Sequence, residues 1–360
     1  MLDCIIIGAG ISGMVSARTM IEAGMKIAVI DNSWRSSASR VAAGLVNPIT
    51  GKRFQVSWRY NDFLSFAKST YSRYSKLDAE EAYLKPFPML RLFADEQEAR
   101  TFRVKIPTLF PEQYIGEQFS SNSNVLHPSL RNEFGGYRTL ETYTFDYNRI
   151  LHVSASLLGE TLIPFHVESG HISNHKGIWK IQTNKGELLS KRIVFCDGWV
   201  ASRNQWLADL KLQFDIVKGE LCIIRSSELP ETDIISRGFA IIPIGNKHFR
   251  CAATFQWNDY TMIPTSFGYE RLNQRIRSLI QCDYEILEHS AGLRPTMLHH
   301  KPFIGEHPKH TCLYAIGGLG TKGALYAPFM AQELVNHIVN GRTFDEEMDL
   351  ALHCQHLEIT

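Results

Sequence analysis

The sequence of 360 residues lacks the signals of several protein classes. Its seven cysteines are widely scattered without a C-x-x-C pair, which argues against a disulfide scaffold or a zinc site and favours a reducing compartment. No segment approaches the roughly 20 uninterrupted apolar residues that cross a bilayer. No basic segment precedes the first apolar run, as a secretory signal would require. We therefore expect a cytoplasmic protein with no membrane span and no metal site.

An excess of charge of either sign is also missing, since the formal net charge is only +1. Binding to nucleic acid or anionic lipid needs clustered cations, so neither is the expected partner. Hydrophobic residues make up 44% and charged residues 21%, values typical of a globular protein. The length exceeds what one core comfortably fills, so two domains are expected.

A glycine-rich turn follows the first apolar strand, Cys4–Ile7, and precedes a helical segment. Gly8 permits the tight turn, Gly10 lets the backbone approach a diphosphate, and Gly13 lets the helix pack on the sheet. The free N–H groups of the helix N-terminus favour phosphate oxygens. Asp31, at the end of the next strand, can accept hydrogen bonds from ribose hydroxyls and disfavours NADP. The pattern predicts dinucleotide binding but leaves FAD and NAD open, and incidental glycines are the alternative.

The predicted strands indicate an α/β fold assembled from separated stretches of chain. Buried, parallel-type strands are predicted at the start, between 161 and 196, where the first runs from about Thr161 to Val167, and near 313. Segments rich in β-branched and aromatic residues between 214 and 255 suggest an antiparallel sheet. Helices are expected near 12–23, 60–83, 147–158, 269–280 and 324–339, and 32–56 is predicted to be a long loop that includes Ser33 and Ser36.

Four further segments occur in the order of a known enzyme family: 38–44, 193–199, 291–305 and 317–328. With the first turn they resemble the D-amino-acid oxidase superfamily, particularly its glycine oxidase and sarcosine oxidase branch. The resemblance covers nearly the whole chain except about 60–140 and implies an FAD-dependent oxidoreductase. It implies a Rossmann-type FAD-binding domain with a central parallel sheet, and a second α+β substrate domain with a mixed or antiparallel sheet. We expect the FAD-binding domain to comprise 1–80, 145–210 and 292–360, and the substrate domain 81–144 and 211–291.

The resemblance also assigns residues to the cofactor. The small-residue loop would bring Ser37 and Arg40 to phosphate, and the backbone of Ala43 and Gly44 to the flavin ring. Val167 would pair with adenine, although it could simply be part of the core. The full set expected to contact FAD is Gly8, Gly10, Ile11, Ser12, Gly13, Asp31, Asn32, Ser37, Arg40, Ala43, Gly44, Val167, Gly198, Trp199, Gly318, Gly320, Thr321 and Lys322.

Two cations are expected to serve the reaction. The family's matching arginine binds the substrate carboxylate with two parallel hydrogen bonds, so Arg294 is the expected substrate anchor. Lys322 and the nearby helix N-terminus would stabilise negative charge on the reduced flavin. The alternatives are a structural Arg294 paired with an internal carboxylate and an exposed Lys322. The expected substrate pocket contains Leu45, Phe255 and Thr321.

The sequence departs from glycine oxidase in the substrate pocket. The segment Phe239–Pro243 lacks an aromatic hydroxyl, Thr321 stands where that enzyme has an arginine, and Phe255 with Trp257 makes the pocket more apolar. Sarcosine oxidases attach FAD through a cysteine soon after the arginine; 296–300 contains none, so the resemblance implies non-covalent FAD. Adjacent His299 and His300 would point to opposite faces of an extended segment, so we expect a surface role.

The expected activity is oxidation of the C–N bond of a small amino acid or secondary amine, with O₂ or another molecule as electron acceptor. One alternative is removal of a carboxymethyl group from a modified tRNA base, since relatives with that task share the loop ending in Asn47-Pro48, near Lys52, Arg53 and Arg59. A second alternative is a flavin-binding protein without turnover. Whether the chain forms a homo-oligomer stays open.

Overall fold

The computed structural model describes residues 1–32, 37–109, 112–124 and 126–355. Ser33 and Ser36 of the predicted small-residue loop lie outside these residues. The described chain contains two large sheets, three small ones and seven helices. None of the helices within these ranges is both long and apolar enough to cross a membrane.

The first large sheet has six strands, of which five are parallel and the last is antiparallel. Its central strands are fully buried because side chains from alternate positions enter two different cores. This burial on both faces explains why the strands are continuously apolar. In spatial order the strands are β11 (Leu162–Ile163), β2 (Ile27–Ile30), β1 (Cys4–Ile7), β15 (Ile193–Phe195), β22 (Leu313–Gly317) and β21 (Phe303–Glu306).

Helices cover one face of this sheet, and a small antiparallel sheet covers the other. Helices that contribute to the first core include α1 (Ile11–Glu22), α2 (Tyr60–Leu77), α4 (Tyr147–Leu158) and α6 (Gly323–Asn340). The opposite face packs against buried Trp179 and Ile181. These two residues belong to a meander of β12 (Ile172–His175), β13 (Ile178–Thr183) and β14 (Gly186–Ser190). The predicted Rossmann-type α/β architecture is confirmed.

The second large sheet has eight strands and is mixed, because one central pair is parallel. Its order is β20 (Glu285–Met297), β16 (Phe214–Arg225), β19 (His248–Ala252), β18 (Ala240–Gly245), β17 (Ile234–Ser236), β7 (Met89–Leu92), β9 (Gly136–Thr139) and β8 (Ile115–Phe119). Helix α5 (Ser266–Leu279) packs on one face through Leu272 and Ile276. The opposite face carries several small residues, which leaves room for a cavity.

Short elements complete the described chain. They are β3 (Leu45–Val46), β4 (Ile49–Thr50), β5 (Gln55–Val56), β6 (Leu84–Pro86), β10 (Tyr143–Phe145), α3 (Glu96–Leu109) and α7 (Leu350–Gln355). Strands β3, β4 and β5 lie in the segment predicted as a loop, so that prediction is wrong in part. Apolar residues such as Val46 and Ile49 are buried in the main core, which turns this stretch into short strands.

The predicted strand from Thr161 to Val167 is wrong beyond Ile163. Strand β11 pairs with only the last two residues of β2, and Pro164, which has no N–H to donate, then follows. Strand β20 runs unbroken across the expected domain boundary between 291 and 292, because β16 pairs with it along nearly its full length. The division of the chain into two domains stays a prediction.

Candidate functional site

A cavity of about 350 Å³ lies between the two large sheets. One wall is formed where the parallel strands end, by Gly8 after β1, Asp31 after β2 and Gly198 after β15. The carboxyl ends of parallel strands are the usual ligand-binding edge of such sheets. The opposite wall is formed by Gly219 and Arg294 of the mixed sheet. We call the first wall the cofactor end and the second the substrate end.

The glycine turn at the cofactor end has no room for side chains. Gly8 has φ +104°, and a Cβ there would lie 2.3 Å from the carbonyl oxygen of Cys196. A Cβ on Gly13 would lie 1.9 Å from the carbonyl oxygen of Gly8. Both distances are far shorter than any real carbon contact. Glycine at these positions therefore lets β1, β15 and α1 pack closely and leaves the backbone exposed to a ligand.

Two helix N-termini meet at the cofactor end. Helix α1 begins at Ile11 and helix α6 begins at Gly323; a Cβ on Gly323 would lie 2.9 Å from Ile11 Cγ2. Neither helix has an acidic residue in its first turn. Free N–H groups and the partial positive charges of both helices thus face the same space. This is an arrangement suited to the diphosphate of a dinucleotide.

Hydrogen bonds hold this wall in shape. Asp31 Oδ2 accepts a hydrogen bond of 2.6 Å from the N–H of Ala9, which fixes the carboxylate beside the turn. Ser39 Oγ accepts one of 3.1 Å from the N–H of Ile11. Tyr147 Oη accepts one of 2.9 Å from the N–H of Ala324 at the start of α6. These bonds within the protein fix the shape of the cradle.

Arg294 dominates the substrate end. Its guanidinium donates a hydrogen bond of 3.1 Å to the carbonyl oxygen of Thr254 and lies 4.6 Å from the ring centre of Phe255. Gly219 faces it across the sheet, and a Cβ there would lie 1.9 Å from an Arg294 nitrogen. Burial lowers the pKa of Arg294 to about 10, with no acidic neighbour among the described residues to counter it. The expected alternative of a structural ion pair is therefore wrong for the described chain.

Lys322 lines the cavity and lies immediately before α6. Burial lowers the pKa of its ammonium group, so it is not a simple exposed cation. Gly320 donates a backbone hydrogen bond of 2.9 Å to the carbonyl oxygen of Pro295, which ties the turn carrying Lys322 to the strand carrying Arg294. Two largely buried cations thus share one cavity. Uncompensated buried charge is unfavourable, so an anionic ligand is expected here.

The structure brings most of the predicted site residues together. The predicted residues that line the cavity are Gly8, Gly10, Ile11, Ser12, Asp31, Ser37, Ala43, Gly44, Leu45, Gly198, Trp199, Phe255, Arg294, Gly320, Thr321 and Lys322. Their individual roles stay predictions.

Five predicted residues do not line the cavity. Gly13 packs under the turn, Gly318 packs against Met297, and Asn32 is exposed. Arg40 donates hydrogen bonds to Asn148, and Val167 packs partly buried against the second core. The positions of Arg40 and Val167 therefore do not support their predicted contacts with FAD.

Sequence reasoning missed several residues of the site. Ser39 and Tyr147 support the helix N-termini, and Gly219 makes room for Arg294. An isolated glycine inside a strand of β-branched residues signals close approach of another group, so Gly219 could have been found. Asp197 also lines the cavity, and burial raises its pKa to about 6.

The histidine pair has no part in the cavity. His299 and His300 are exposed, as predicted, but they lie in a turn rather than in an extended segment. Strand β20 ends at Met297, and the chain reverses there toward β21. Within the ranges that the structure describes, no cluster of His, Cys, Asp or Glu residues could hold a metal ion.

The fold and the cavity together are those of a dinucleotide-binding protein with two largely buried cations in the same cavity. A family model described as DAO, FAD dependent oxidoreductase, matches residues 3–337. The chain belongs to this family, and it is an FAD-dependent oxidoreductase. The predicted family and cofactor are confirmed.

The relatives are distant in sequence. The chain is 22% identical over 359 residues to glycine oxidase of Pseudomonas aeruginosa, covering 94% of each protein. It is 24% identical over 369 residues to the tRNA 5-methylaminomethyl-2-thiouridine biosynthesis bifunctional protein MnmC of Marinobacter nauticus, of which it spans only 55%. The solved structure of glycine oxidase from Geobacillus kaustophilus matches with a TM-score of 0.81 at 19% identity, over 96% of both chains. That likeness shows the shared fold.

Proposed function

We propose that this enzyme oxidises the C–N bond of an amine that carries a carboxylate, either a small amino acid or a secondary amine. The single observation that carries the proposal is Arg294, a largely buried guanidinium without an acidic partner among the described residues, on the wall opposite the cofactor end. Glycine oxidases among the relatives act, by name, on a compound of this class.

Arg294 would bind the substrate carboxylate. Its hydrogen bond to Thr254 and its contact with the Phe255 ring orient the guanidinium, while Gly219 leaves one side open. A planar guanidinium can hold both carboxylate oxygens, which fixes the direction of the rest of the substrate. These residues therefore position the substrate. Positioning lowers the activation barrier because the substrate has already lost its translational and rotational freedom on binding.

Among the described lining residues there is no histidine, and no carboxylate lies close enough to Arg294 to shift its pKa. The acidic groups among the described lining residues, Asp31 and Asp197, follow strands of the six-stranded sheet at the cofactor end. FAD, when bound, accepts two electrons and the hydrogen from the carbon beside the amine. A neutral amine needs no deprotonation by the protein for this step. This agrees with the position of both acidic lining residues at the cofactor end, away from Arg294. Water would then hydrolyse the resulting imine to a carbonyl compound and ammonia or a primary amine.

One experiment tests the assignment of Arg294. The protein should be purified with FAD, and anaerobic bleaching of the flavin should be followed with amino acids and N-methyl amino acids. Arg294→Ala should keep its FAD and raise the KM of every carboxylate-bearing substrate by about 100-fold, since a charge-assisted pair contributes about 3 kcal/mol. Arg294→Lys keeps the charge but not the planar geometry and should restore only part of the loss. Unchanged KM values in Arg294→Ala would refute the assignment.

A second candidate is removal of a carboxymethyl group from a modified tRNA base. The match to MnmC favours it, and exposed Lys52 and Arg53 lie close after Thr50, which lines the cavity. Arg59, expected to add charge there, is instead paired with Asp345 at 2.6 Å and with Asp62. Bleaching by the carboxymethylaminomethyl nucleoside, faster in intact tRNA than as the free nucleoside, would select this reaction.

Non-covalent attachment of FAD also belongs to the proposal. Denaturation followed by filtration should release all of the flavin into the filtrate. Yellow colour retained by the polypeptide would contradict it and would direct attention to Cys196, which lines the cavity.

A further inference from the structure

We propose that the substrate carries a flat apolar group of about the size of an aromatic ring, which binds at the rim of the cavity against residues 255–265, here called the mouth loop. The inference rests on the proposed function, in which Arg294 binds a carboxylate beside the reacting amine. It adds the chemical class of the remaining part of the substrate.

The mouth loop carries several large apolar side chains that are exposed to solvent. Phe255 is 51% exposed, Trp257 55%, Tyr260 46% and Met262 38%. Single exposed apolar residues are ordinary, whereas a group of this kind marks a binding surface. Phe255 and Met262 also line the cavity, so the exposed surface is continuous with the site of Arg294. A ligand held by Arg294 can therefore extend directly onto it.

The rim is suited to a planar group rather than to a flexible chain. The guanidinium of Arg203 lies 5.3 Å from the ring centre of Trp199 and 5.9 Å from that of Tyr260. Trp199 lines the cavity, so this contact connects the cavity wall with the mouth loop. Aromatic rings and a planar guanidinium attract another ring through stacking and edge contacts. The Phe255 ring beside Arg294 continues this apolar surface up to the carboxylate site.

Two buried charged residues that do not line the cavity fix the mouth loop through hydrogen bonds. Lys218 on β16 is fully buried; it donates hydrogen bonds of 2.7 Å to Asp259 and 2.6 Å to the carbonyl oxygen of Ile263. Glu220, also fully buried, accepts hydrogen bonds from the N–H and hydroxyl of Thr265.

Backbone bonds of 2.9 Å in both directions join Lys218 and Gln256. The backbone that carries the exposed apolar side chains is therefore held in place, and a ligand loses little free energy in ordering the loop.

The experiment compares four carboxylate amines on the FAD-loaded enzyme by anaerobic flavin bleaching. Phenylalanine and N-benzylglycine carry a ring on the α-carbon and on the nitrogen respectively, whereas glycine and N-methylglycine carry none. At least one ring-bearing compound should have a kcat/KM about 10-fold or more above both small ones, as burial of a ring implies. The better of the two shows on which atom the ring is attached.

Variants locate the effect. Tyr260→Ala and Met262→Ala should reduce the preference for the ring-bearing compound over glycine by about 3- to 10-fold. Phe66→Ala removes an exposed ring on α2 that does not line the cavity, and it should leave the preference unchanged.

Equal or better turnover of glycine and N-methylglycine would overturn the inference and leave the proposed function intact. Bleaching by none of the four would overturn both. Loss of self-association in Tyr260→Ala with unchanged kinetics would assign the surface to a second copy of the chain and would equally overturn it.

Discussion

The two ends of the cavity are built in different ways. The cofactor end consists of backbone groups, glycines and helix N-termini, and one of its two acidic lining residues, Asp31, accepts a hydrogen bond from the backbone of Ala9. At the substrate end the Arg294 side chain is enclosed by Gly219, Thr254 and Phe255, which come from stretches of chain far apart in sequence. A wall made of backbone groups is suited to FAD, the cofactor that the family members share. A wall of side chains can change from one protein to the next, so specificity is expected to lie there.

The largest effect is expected from a substitution at the cofactor end. In Gly13→Ala the new Cβ would lie 1.9 Å from the carbonyl oxygen of Gly8, and backbone on both sides would have to move. We expect loss of bound FAD and a free energy of unfolding lower by about 3 kcal/mol, as for overpacked cores. Flavin absorbance per protein and urea unfolding measure the two quantities.

The matched control is Gly170→Ala, where a Cβ meets no described atom within 4 Å. It should bind FAD like the original protein. Normal flavin content in Gly13→Ala would show that the cofactor end tolerates side chains. The proposed difference between a backbone cofactor end and a side-chain substrate end would then be wrong.

A smaller effect, confined to the substrate end, is expected for Gly219→Ala. Here the Cβ would lie 1.9 Å from the end of the flexible Arg294 side chain, so the guanidinium can move while the fold is kept. FAD content and the unfolding midpoint should stay unchanged, and KM for the carboxylate substrate should rise by about 10- to 100-fold because the anchor is displaced. Steady-state kinetics at saturating acceptor measure this. Loss of FAD instead would mean that the two walls are not independent.

The smallest effect concerns Asp197, a charge at the cofactor end. Burial raises its pKa to about 6, from about 3.9 in an unfolded chain. Between these values the folded, cofactor-free protein binds a proton that the unfolded chain does not, so its free energy of unfolding falls as pH rises through this window. Asp197→Asn should lack this part of the pH dependence. Identical pH profiles of urea unfolding for both proteins would contradict it.

The sequence was informative where the structure depends on local chain geometry. The turn from Gly8 to Gly13 and the helix Tyr147–Leu158 could be predicted because their patterns are short and continuous. Arg294 could be identified only through the family resemblance, since its partners Thr254 and Gly219 come from other strands.

Other features could not be predicted, for physical reasons that depend on the folded chain. The strand near Val167 ends early because its neighbour β2 is short and Pro164 follows. The ion pair between fully buried Lys218 and partly exposed Asp259 joins residues whose approach depends on the whole mixed sheet. The charged residues that fix the mouth loop leave no periodic pattern in the sequence. The loop could therefore be recognised as a preformed surface only from the structure.

The contact between Ile11 and Gly323 has a consequence for the order of events during synthesis. The two halves of the proposed diphosphate cradle are separated by the sequence from 12 to 322, so they can meet only after all of that sequence has been made. We therefore expect stable binding of the flavin to need the helix that begins at Gly323. Any shortened product that ends before that helix would be colourless, however well its first strands and helix had folded.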